Sequence, residues 1–174
     1  MKINNRNDKK YLIVDSTAII HFSSIEEDLA RDEFLLLPES LKEEIQSHKA
    51  KIIFRLIEES EKTIFKTPSN EALLEVRTKA SESGDIDALS IIDIQIIALA
   101  LDYSNSTILS DDNAIQNVCT FLQIPVKSLF FRIKSKRRYF WKCNVCNAKF
   151  ETKRGNCTEC GSPLKRYYVK MKMN

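Results

Sequence analysis

Carboxylates stand where an alternating pattern of strands and helices would gather them into one site. They follow apolar, strand-like runs or lie near the starts of buried helices: Asp15, Asp93, the pair Asp111 and Asp112, and one of Glu43 and Glu44. Several carboxylates in one crevice repel one another and raise their own pKa values unless a cation compensates. Mg²⁺ and Mn²⁺ prefer such oxygen ligands, and a metal held in this way activates water for attack on a phosphodiester. The acids therefore predict a divalent-metal site for phosphodiester hydrolysis.

Most of these acids also have a structural interpretation. Asp15 is placed to cap the helix that follows it. Asp93 follows Ser90 at the spacing of a capping box. Either Asp111 or Asp112 could serve the dipole of the next helix. Capping and metal binding therefore remain open for each of them.

The choice between Glu43 and Glu44 rests on a second capping pattern. Ser40 and Glu43 have the spacing of a capping box, and Glu is the favoured partner in that motif. If Glu43 is used in this way, Glu44 is left for the crevice. This argument favours Glu44 weakly.

Four of the five cysteines form two close pairs: Cys143-x-x-Cys146 and Cys157-x-x-Cys160. Each pair can supply two thiolates from one tight turn, so the spacing predicts a zinc ribbon. Two disulfides or a redox pair are the alternatives, and they are disfavoured because no secretory signal and no βαβ context accompany the cysteines. Cys119 lies in an apolar helical pattern and is expected to be a buried thiol.

Charge divides the chain at the approach to the cysteines. Residues 1–125 carry 13 Lys+Arg and 22 Asp+Glu, a net charge of −9, whereas residues 126–174 carry 14 and 2, a net charge of +12. Such a change predicts two modules, of which the basic one suits a polyanion. No apolar run approaches the roughly 20 residues that span a bilayer, so we expect a soluble, cytoplasmic protein without a membrane partner.

The elements that must position the acids alternate between strand and helix. Apolar runs predict strands at 10–15, 33–37, 63–67, 107–110 and 124–126, and helical periodicity predicts helices from Ser16 onward and at 39–62, 69–83, 90–103 and 113–122. In the second helix we expect an inner face made by Leu41, Ile45, Ile52, Ile53, Leu56 and Ile57. This order predicts an α/β domain with a central, mainly parallel sheet flanked by helices, over residues 1–126. A basic and aromatic linker follows at 127–139, and a small C-terminal zinc ribbon at 140–174.

The segment from Lys127 to Lys142 interleaves cations with aromatic rings. Cations neutralise phosphates and aromatic faces stack on unpaired bases, which is typical of RNA binding. The residues that we expect to bind RNA are Lys134, Lys136, Arg137, Arg138, Lys142 and Trp141. Alternatively, the aromatic residues of this segment, Phe130, Phe131, Tyr139, Phe140 and Trp141, pack between the two modules.

A family resemblance covers residues 10 to 168. In chain order the motifs are VDSTA, LKEEI, LSIIDIQIIALAL, ILSDDNAIQNV, YFWKCNVC and CTECGSPLKR. This sequence resembles the archaeal Nin-one-binding (Nob) endonucleases, which combine a PIN nuclease domain with a zinc ribbon. The resemblance implies a PIN-like fold and a metal-dependent endoribonuclease that cleaves single-stranded precursor rRNA at the 3′ end of the small-subunit rRNA.

The same resemblance implies roles for individual residues. Asp15, Glu44, Asp93 and Asp112 match the four PIN acids that hold catalytic Mn²⁺ or Mg²⁺, with Asp111 as the alternative to Asp112. Ser16 or Ser110 would orient water or phosphate. Zn²⁺ in the ribbon would be structural. The implied partners are precursor small-subunit rRNA and the immature small ribosomal subunit, with assembly-factor proteins as further candidates.

Two other functions fit the residues. One is a non-catalytic assembly factor that binds pre-ribosomal RNA without cutting it. The other is a broad-specificity PIN ribonuclease with no ribosomal role. The ribbon and its basic approach favour the Nob interpretation over toxin-type PIN ribonucleases.

Overall fold

Five parallel strands form the central sheet of the computed structural model, which describes residues 9–19, 29–44, 48–152 and 155–172. The strands are β1 (Lys10–Val14), β2 (Glu33–Pro38), β3 (Thr63–Lys66), β4 (Ser106–Leu109) and β5 (Val126–Lys127). Their order is β3-β2-β1-β4-β5, and every neighbouring pair is parallel. The predicted α/β class is confirmed. The strand order reverses between β1 and β4, and such a switch point opens a crevice at the carboxyl ends of the strands.

Helices connect and cover these strands. They are α1 (Ser16–Ile19), α2 (Leu41–Glu44), α3 (His48–Glu59), α4 (Asn70–Ser83), α5 (Ile91–Asp102) and α6 (Asn113–Leu122). Helix α5 is apolar on nearly every side and buries seven of its residues, as its sequence predicts. Within the described residues no helix is both long enough and apolar enough to cross a membrane.

The predicted inner face of α3 is wrong at two positions. Ile52 and Leu56 are 50% and 57% exposed, whereas Phe54 and Ile57 are buried. Residues two positions apart on a helix point in different directions, so Ile52 cannot share the buried face with Phe54. The apolar residues of this helix cover a broader arc than its buried face, and Ile52 and Leu56 lie at the exposed edge of that arc. Ile45, another member of the predicted face, lies outside the described residues.

The basic tail forms a separate antiparallel sheet. Its strands are β6 (Lys136–Cys143), β7 (Lys149–Phe150) and β8 (Leu164–Met171), in the order β7-β6-β8. A small core of Cys143, Cys157 and Leu164 packs with Trp141, Ala148 and Phe150. Strand β6 runs continuously through residues 139 and 140, and the domain boundary there stays a prediction.

Buried polar side chains attach this second sheet to the first domain. The Asn117 side chain on α6 binds both the N–H and the C=O of Arg137, each at 2.8 Å, and donates to Asp85 at 2.6 Å. Arg166 on β8 reaches the same carboxylate at 2.7 Å. Burial raises the pKa of Asp85, while bonds from Asn117, Ser83 and Arg166 lower it. Asp85, predicted to be structural or solvated, is a buried structural residue.

Gly84 allows the closest backbone approach at this junction. It caps the C-terminal end of α4 in the left-handed conformation, with φ 75°. A Cβ atom built on it would lie 2.4 Å from the carbonyl oxygen of Tyr139 on β6. Only glycine satisfies both requirements, because any side chain would strain the backbone and collide with β6.

We predict that Gly84→Ala lowers the free energy of unfolding by roughly 3 kcal/mol, the sum of left-handed strain and overpacking. Gly161→Ala is the matched control: Gly161 also has φ 75°, but nothing lies within 4 Å of its Cβ position. It should lose roughly 1 kcal/mol from strain alone. Chemical denaturation of both full-length variants, followed by circular dichroism, measures the difference. Equal losses would contradict the proposed close contact with Tyr139.

Candidate active site and metal centre

Asp15 occupies the switch point of the sheet. It follows β1 directly, is buried, and accepts a hydrogen bond from the Ala18 N–H through Oδ1 at 2.6 Å. Its Oδ2 accepts from the hydroxyl of Ser110, the residue after the neighbouring strand β4. The predicted capping role of Asp15 is therefore realised. The bond to Ser110 also joins the carboxyl ends of β1 and β4.

Asp93 caps helix α5 and faces the same crevice. Its Oδ2 accepts from the Ser90 N–H at 2.8 Å, and its own N–H donates to the Ser90 hydroxyl at 3.1 Å, which completes a capping box. Burial is the main cause that raises the pKa of Asp93 above 3.8, and the bonds with Ser90 lower it. The charges of Asp112 and Asp15 raise it further, so the three carboxylates lie within electrostatic reach of one another.

Asp111 and Asp112 use their carboxylates differently. Asp112 caps α6, and both of its bonds, from the N–H groups of Ala114 and Ile115, end on Oδ1. Asp111 instead accepts from the backbone N–H groups of Phe130 and Phe131, each at 3.0 Å. Of the two acids, Asp112 is the one whose charge acts on Asp93.

Glu44 ends helix α2, and its side chain lies outside the described residues. The Ser40 hydroxyl donates to the side chain of Gln95 on α5, so it makes a tertiary contact rather than the expected bond within its own helix. Asp93 lies on the same helix as Gln95, so this contact fixes the start of α2 near the crevice. The metal-binding role of Glu44 stays a prediction.

Among the described residues, the carboxylates at the crevice offer oxygen donors to a cation. Asp93 uses Oδ2 for its cap and Asp112 uses Oδ1, so each cap engages one oxygen of its carboxylate. Three mutually repelling carboxylates, each held in a fixed orientation, suit a hard divalent ion such as Mg²⁺ or Mn²⁺. The donor set therefore fits a divalent metal ion.

The four paired cysteines gather into one cluster. Their sulfur atoms all lie within 4.8 Å of one another, and the closest pairs, Cys143 with Cys160 and Cys146 with Cys157, are 3.4 Å apart. Sulfurs around a tetrahedral ion at about 2.3 Å would be about 3.8 Å apart. The backbone and side chain of Ser162 lower the pKa of Cys160 to about 6, whereas for Cys146 the backbone bond from Ala148 is outweighed by bonds with the other three thiols, and its pKa is raised to about 12.

Two equivalent backbone turns build this cluster. In the first, Cys143 donates to Ala148 O at 2.9 Å and accepts from Asn147 N at 3.1 Å. In the second, Cys157 donates to Ser162 O at 2.8 Å and accepts from Gly161 N at 2.9 Å. Asn147 and Gly161 both adopt positive φ. The repeated geometry presents two sulfurs from each turn to one ion, as the spacing predicts. Cys119 is buried in the first domain, as expected.

Three of the predicted RNA-binding residues are engaged within the protein. The Lys136 ammonium lies 3.8 Å from the centre of the Phe121 ring. The Arg137 guanidinium lies 4.8 Å from the centre of the Tyr168 ring. Trp141 packs against the cysteine core. These positions give the three side chains structural contacts.

The other three predicted residues face outward. Lys134 and Arg138 are exposed, although Arg138 also forms an ion pair with Glu151 at 3.1 Å, and Lys142 is half-buried. In the strand register, Lys142 is directly opposite Lys149 on β7 and directly opposite Lys165 on β8. Directly opposite residues share one face of a sheet, and like charges there are destabilising. The three lysines therefore form a row that favours binding of a polyanion.

Gln116 and Asn117 are buried structural residues that the sequence patterns did not single out. Both are buried on α6 and hold the linker backbone. Gln116 donates to Phe131 O at 2.6 Å and accepts from Ile133 N at 2.9 Å. The sequence signal for them is a pair of polar residues within an otherwise apolar helical pattern. Polar side chains buried in this way require hydrogen-bond partners.

Comparisons with known proteins agree on a nuclease domain. A family model described as "PIN domain of ribonuclease" matches residues 12–103. "Endoribonuclease Nob1" of Pyrococcus abyssi is 32% identical over 71% of this chain and 77% of its own length. The protein of the same name from Methanocaldococcus jannaschii is 34% identical over 94% of this chain and 81% of its own length. "Ribonuclease VapC1" of Thermoplasma acidophilum is 30% identical over 92% of this chain and 79% of its own length.

Among solved structures, the PIN domain endonuclease Utp24 matches with a TM-score of 0.45 and 11% identity, over 72% of this chain and 89% of that chain. The assignment to a protein family therefore rests on the sequence relatives and the family model. The parallel sheet, the acids at its carboxyl edge and the family match define a PIN-domain ribonuclease. The chain belongs to the Nob family of endoribonucleases, which confirms the resemblance of its motifs. The match to VapC1 extends into the cysteine-rich tail, so the presence of the tail alone does not distinguish a Nob endoribonuclease from a relative named VapC1.

We predict that Asp93→Asn stabilises the metal-free protein at pH 7. The pKa of Asp93 is higher in the folded protein than in the unfolded chain. The protonated side chain therefore contributes to stability fully below pH 3.8, and this contribution is lost as the pH rises through the folded-state pKa. Asparagine removes the charge and can still accept from Ser90. Thermal unfolding without added divalent ions should therefore give the variant the higher Tm at pH 7, and this advantage should disappear near pH 3. Added Mn²⁺ should raise the Tm of the wild type more than that of the variant.

Asp32→Asn is the control with the opposite sign. Asp32 is exposed, and its bond to Lys10, at 2.8 Å, lowers its pKa. Its contribution to stability is therefore present above pH 3.8 and is lost as pH falls. Asparagine should slightly lower the Tm at pH 7. An Asp93→Asn variant that is less stable than the wild type at pH 7 without metal would refute the electrostatic description of the crevice.

Proposed function

We propose that this protein is a metal-dependent endoribonuclease that cuts single-stranded precursor rRNA at the 3′ end of the small-subunit rRNA. The observation that carries the proposal is the convergence of Asp15, Asp93 and Asp112 at the switch point of the sheet: the Ser110 hydroxyl bonds both Asp15 and the Asp112 N–H, and Asp93 lies within electrostatic reach of both acids. The names of the Nob relatives support an endoribonuclease. The rRNA substrate follows from the family resemblance.

The catalytic metal would be Mn²⁺ or Mg²⁺, held by Asp15, Asp93 and Asp112 together with Glu44. When bound, the ion lowers the pKa of water and stabilises charge on the phosphate oxygens. The protein contributes orientation: bonds from Ala18 and Ser110 fix both oxygens of Asp15. The Ser110 hydroxyl also accepts from the Asp112 N–H at 3.0 Å, so one serine links two of the proposed ligands.

The basic tail would hold the RNA. We propose that Zn²⁺ occupies the four-cysteine cluster and stabilises the tail sheet, whose core is small. The row of Lys142, Lys149 and Lys165 on that sheet would neutralise successive phosphates. Exposed Lys134 and Arg138 extend this surface. Arg137 and Trp141 would contribute mainly by keeping the tail folded against the first domain.

The proposed setting is ribosome maturation in the cytoplasm. The partners would be precursor small-subunit rRNA and the immature small ribosomal subunit, with assembly-factor proteins as further candidates. A broad-specificity PIN ribonuclease is the second candidate function, because the match to "Ribonuclease VapC1" also spans most of the chain. A non-catalytic assembly factor would retain the same carboxylates purely as helix caps.

The adjacent acids Asp111 and Asp112 provide the test. We predict a discrete cut, dependent on Mn²⁺, in a single-stranded RNA that spans the 3′ end of the small-subunit rRNA. Asp112→Asn should slow this cut roughly 100-fold and raise the Mn²⁺ concentration needed, because a charged ligand is lost while asparagine preserves the helix cap. Asp111→Asn should keep the Mn²⁺ dependence of the wild type. Single-turnover cleavage across a Mn²⁺ titration measures both effects.

The alternatives give different results in the same assay. Equal Mn²⁺ dependence in all three proteins would contradict the assignment of Asp112. Cutting of unrelated RNAs at many positions would favour the broad-specificity ribonuclease. Tight RNA binding by the wild type without any cut would favour the assembly factor.

A further inference from the structure

Three large apolar side chains project consecutively into solvent after strand β5. Leu129, Phe130 and Phe131 are 42%, 67% and 71% exposed. Large apolar side chains that are exposed together are a feature of binding surfaces. Two aromatic rings among cations are suited to stacking on nucleic acid bases.

The backbone beneath these rings is held in place. The Asp111 carboxylate accepts from the N–H groups of Phe130 and Phe131, each at 3.0 Å. The Gln116 side chain donates to Phe131 O at 2.6 Å, and its Oε1 accepts from the N–H of buried Ile133 at 2.9 Å. The protein therefore fixes the main chain while it exposes the rings. A platform held in this way loses little conformational entropy when a ligand binds.

This segment leaves the sheet at the edge where the acids gather. Lys127 ends β5, is paired with Leu109 of the neighbouring strand, and accepts through its carbonyl from the Ser110 N–H at 3.1 Å. Parallel strands β1, β4 and β5 have their carboxyl ends on the same side of the sheet. Phe130 and Phe131 are bonded to Asp111, the chain neighbour of Asp112. The rings therefore stand at the rim of the acidic crevice.

We propose that Phe131, with Phe130 beside it, stacks on the unpaired base next to the scissile phosphate and so positions single-stranded RNA for cleavage. This inference rests on the proposed function. The exposed cations Lys127, Arg132 and Lys134 flank the rings and complement the phosphates on either side. A base within a duplex has both faces covered by its neighbours, so the platform selects an unpaired nucleotide.

Binding of RNA that contains 2-aminopurine tests the platform directly. The fluorescent base is moved one nucleotide at a time through the single-stranded substrate, without added Mn²⁺ or Mg²⁺. The wild type should quench fluorescence most strongly at one nucleotide next to the cut. Phe131→Ala should lose that quenching and bind about 5- to 100-fold more weakly, and Phe131→Trp should restore both. Leu74→Ala is the control, because Leu74 is a 67% exposed apolar residue on α4, away from the crevice.

An abasic nucleotide at the quenched position separates stacking from a folding defect. It should weaken binding by the wild type about as much as Phe131→Ala does, and it should add little to the effect of that variant. Additive losses, or quenching that survives in Phe131→Ala, would overturn the inference and leave the nuclease proposal intact. If the wild type makes no cut, the nuclease proposal fails, and the fluorescence scan still decides whether Phe131 stacks on RNA.

Discussion

Capping of helices by carboxylates is the interaction on which the acidic crevice depends. Asp15, Asp93 and Asp112 each accept backbone N–H groups at the start of a helix, so local bonds fix their orientation. Without these bonds, repulsion among the acids would turn the side chains toward solvent. The positive end of each helix also stabilises the charge nearby. From sequence alone, capping and metal binding are competing explanations for these acids. The structure makes them compatible, because the caps of Asp93 and Asp112 each use only one of the two carboxylate oxygens.

A second set of buried bonds joins the acidic domain to the basic tail. The Asn117 side chain is hydrogen-bonded to the backbone of Arg137. The Asp85 carboxylate accepts hydrogen bonds from both Asn117 and Arg166. These contacts place oppositely charged modules in one body, so the tail can bind an anion without collapsing onto the acids. The linker between them is held along α6 by Gln116. Its exposed rings therefore have a defined position beside the crevice.

Local patterns predicted most of the strands and helices. Short apolar runs gave the five strands, and serine and aspartate caps gave the starts of α4, α5 and α6. Helix α3 was harder, because periodicity alone could not decide which of its isoleucines, Ile52 or Ile57, faces inward. The Ser40 hydroxyl was assigned to a local cap, but a tertiary partner, Gln95, competes for it. Asp85 and Arg166 are separated by 81 residues, so no local pattern could connect them.

Diffraction at the manganese absorption edge, from crystals soaked in Mn²⁺, tests the central claim most directly, because it locates the ion without relying on activity. We expect an anomalous peak within about 2.5 Å of carboxylate oxygens from Asp15, Asp93 and Asp112. The oxygens that cap α5 and α6 should keep their backbone bonds. An empty crevice at Mn²⁺ concentrations that support RNA cleavage, or a peak held by other residues while these three acids serve only as caps, would contradict it.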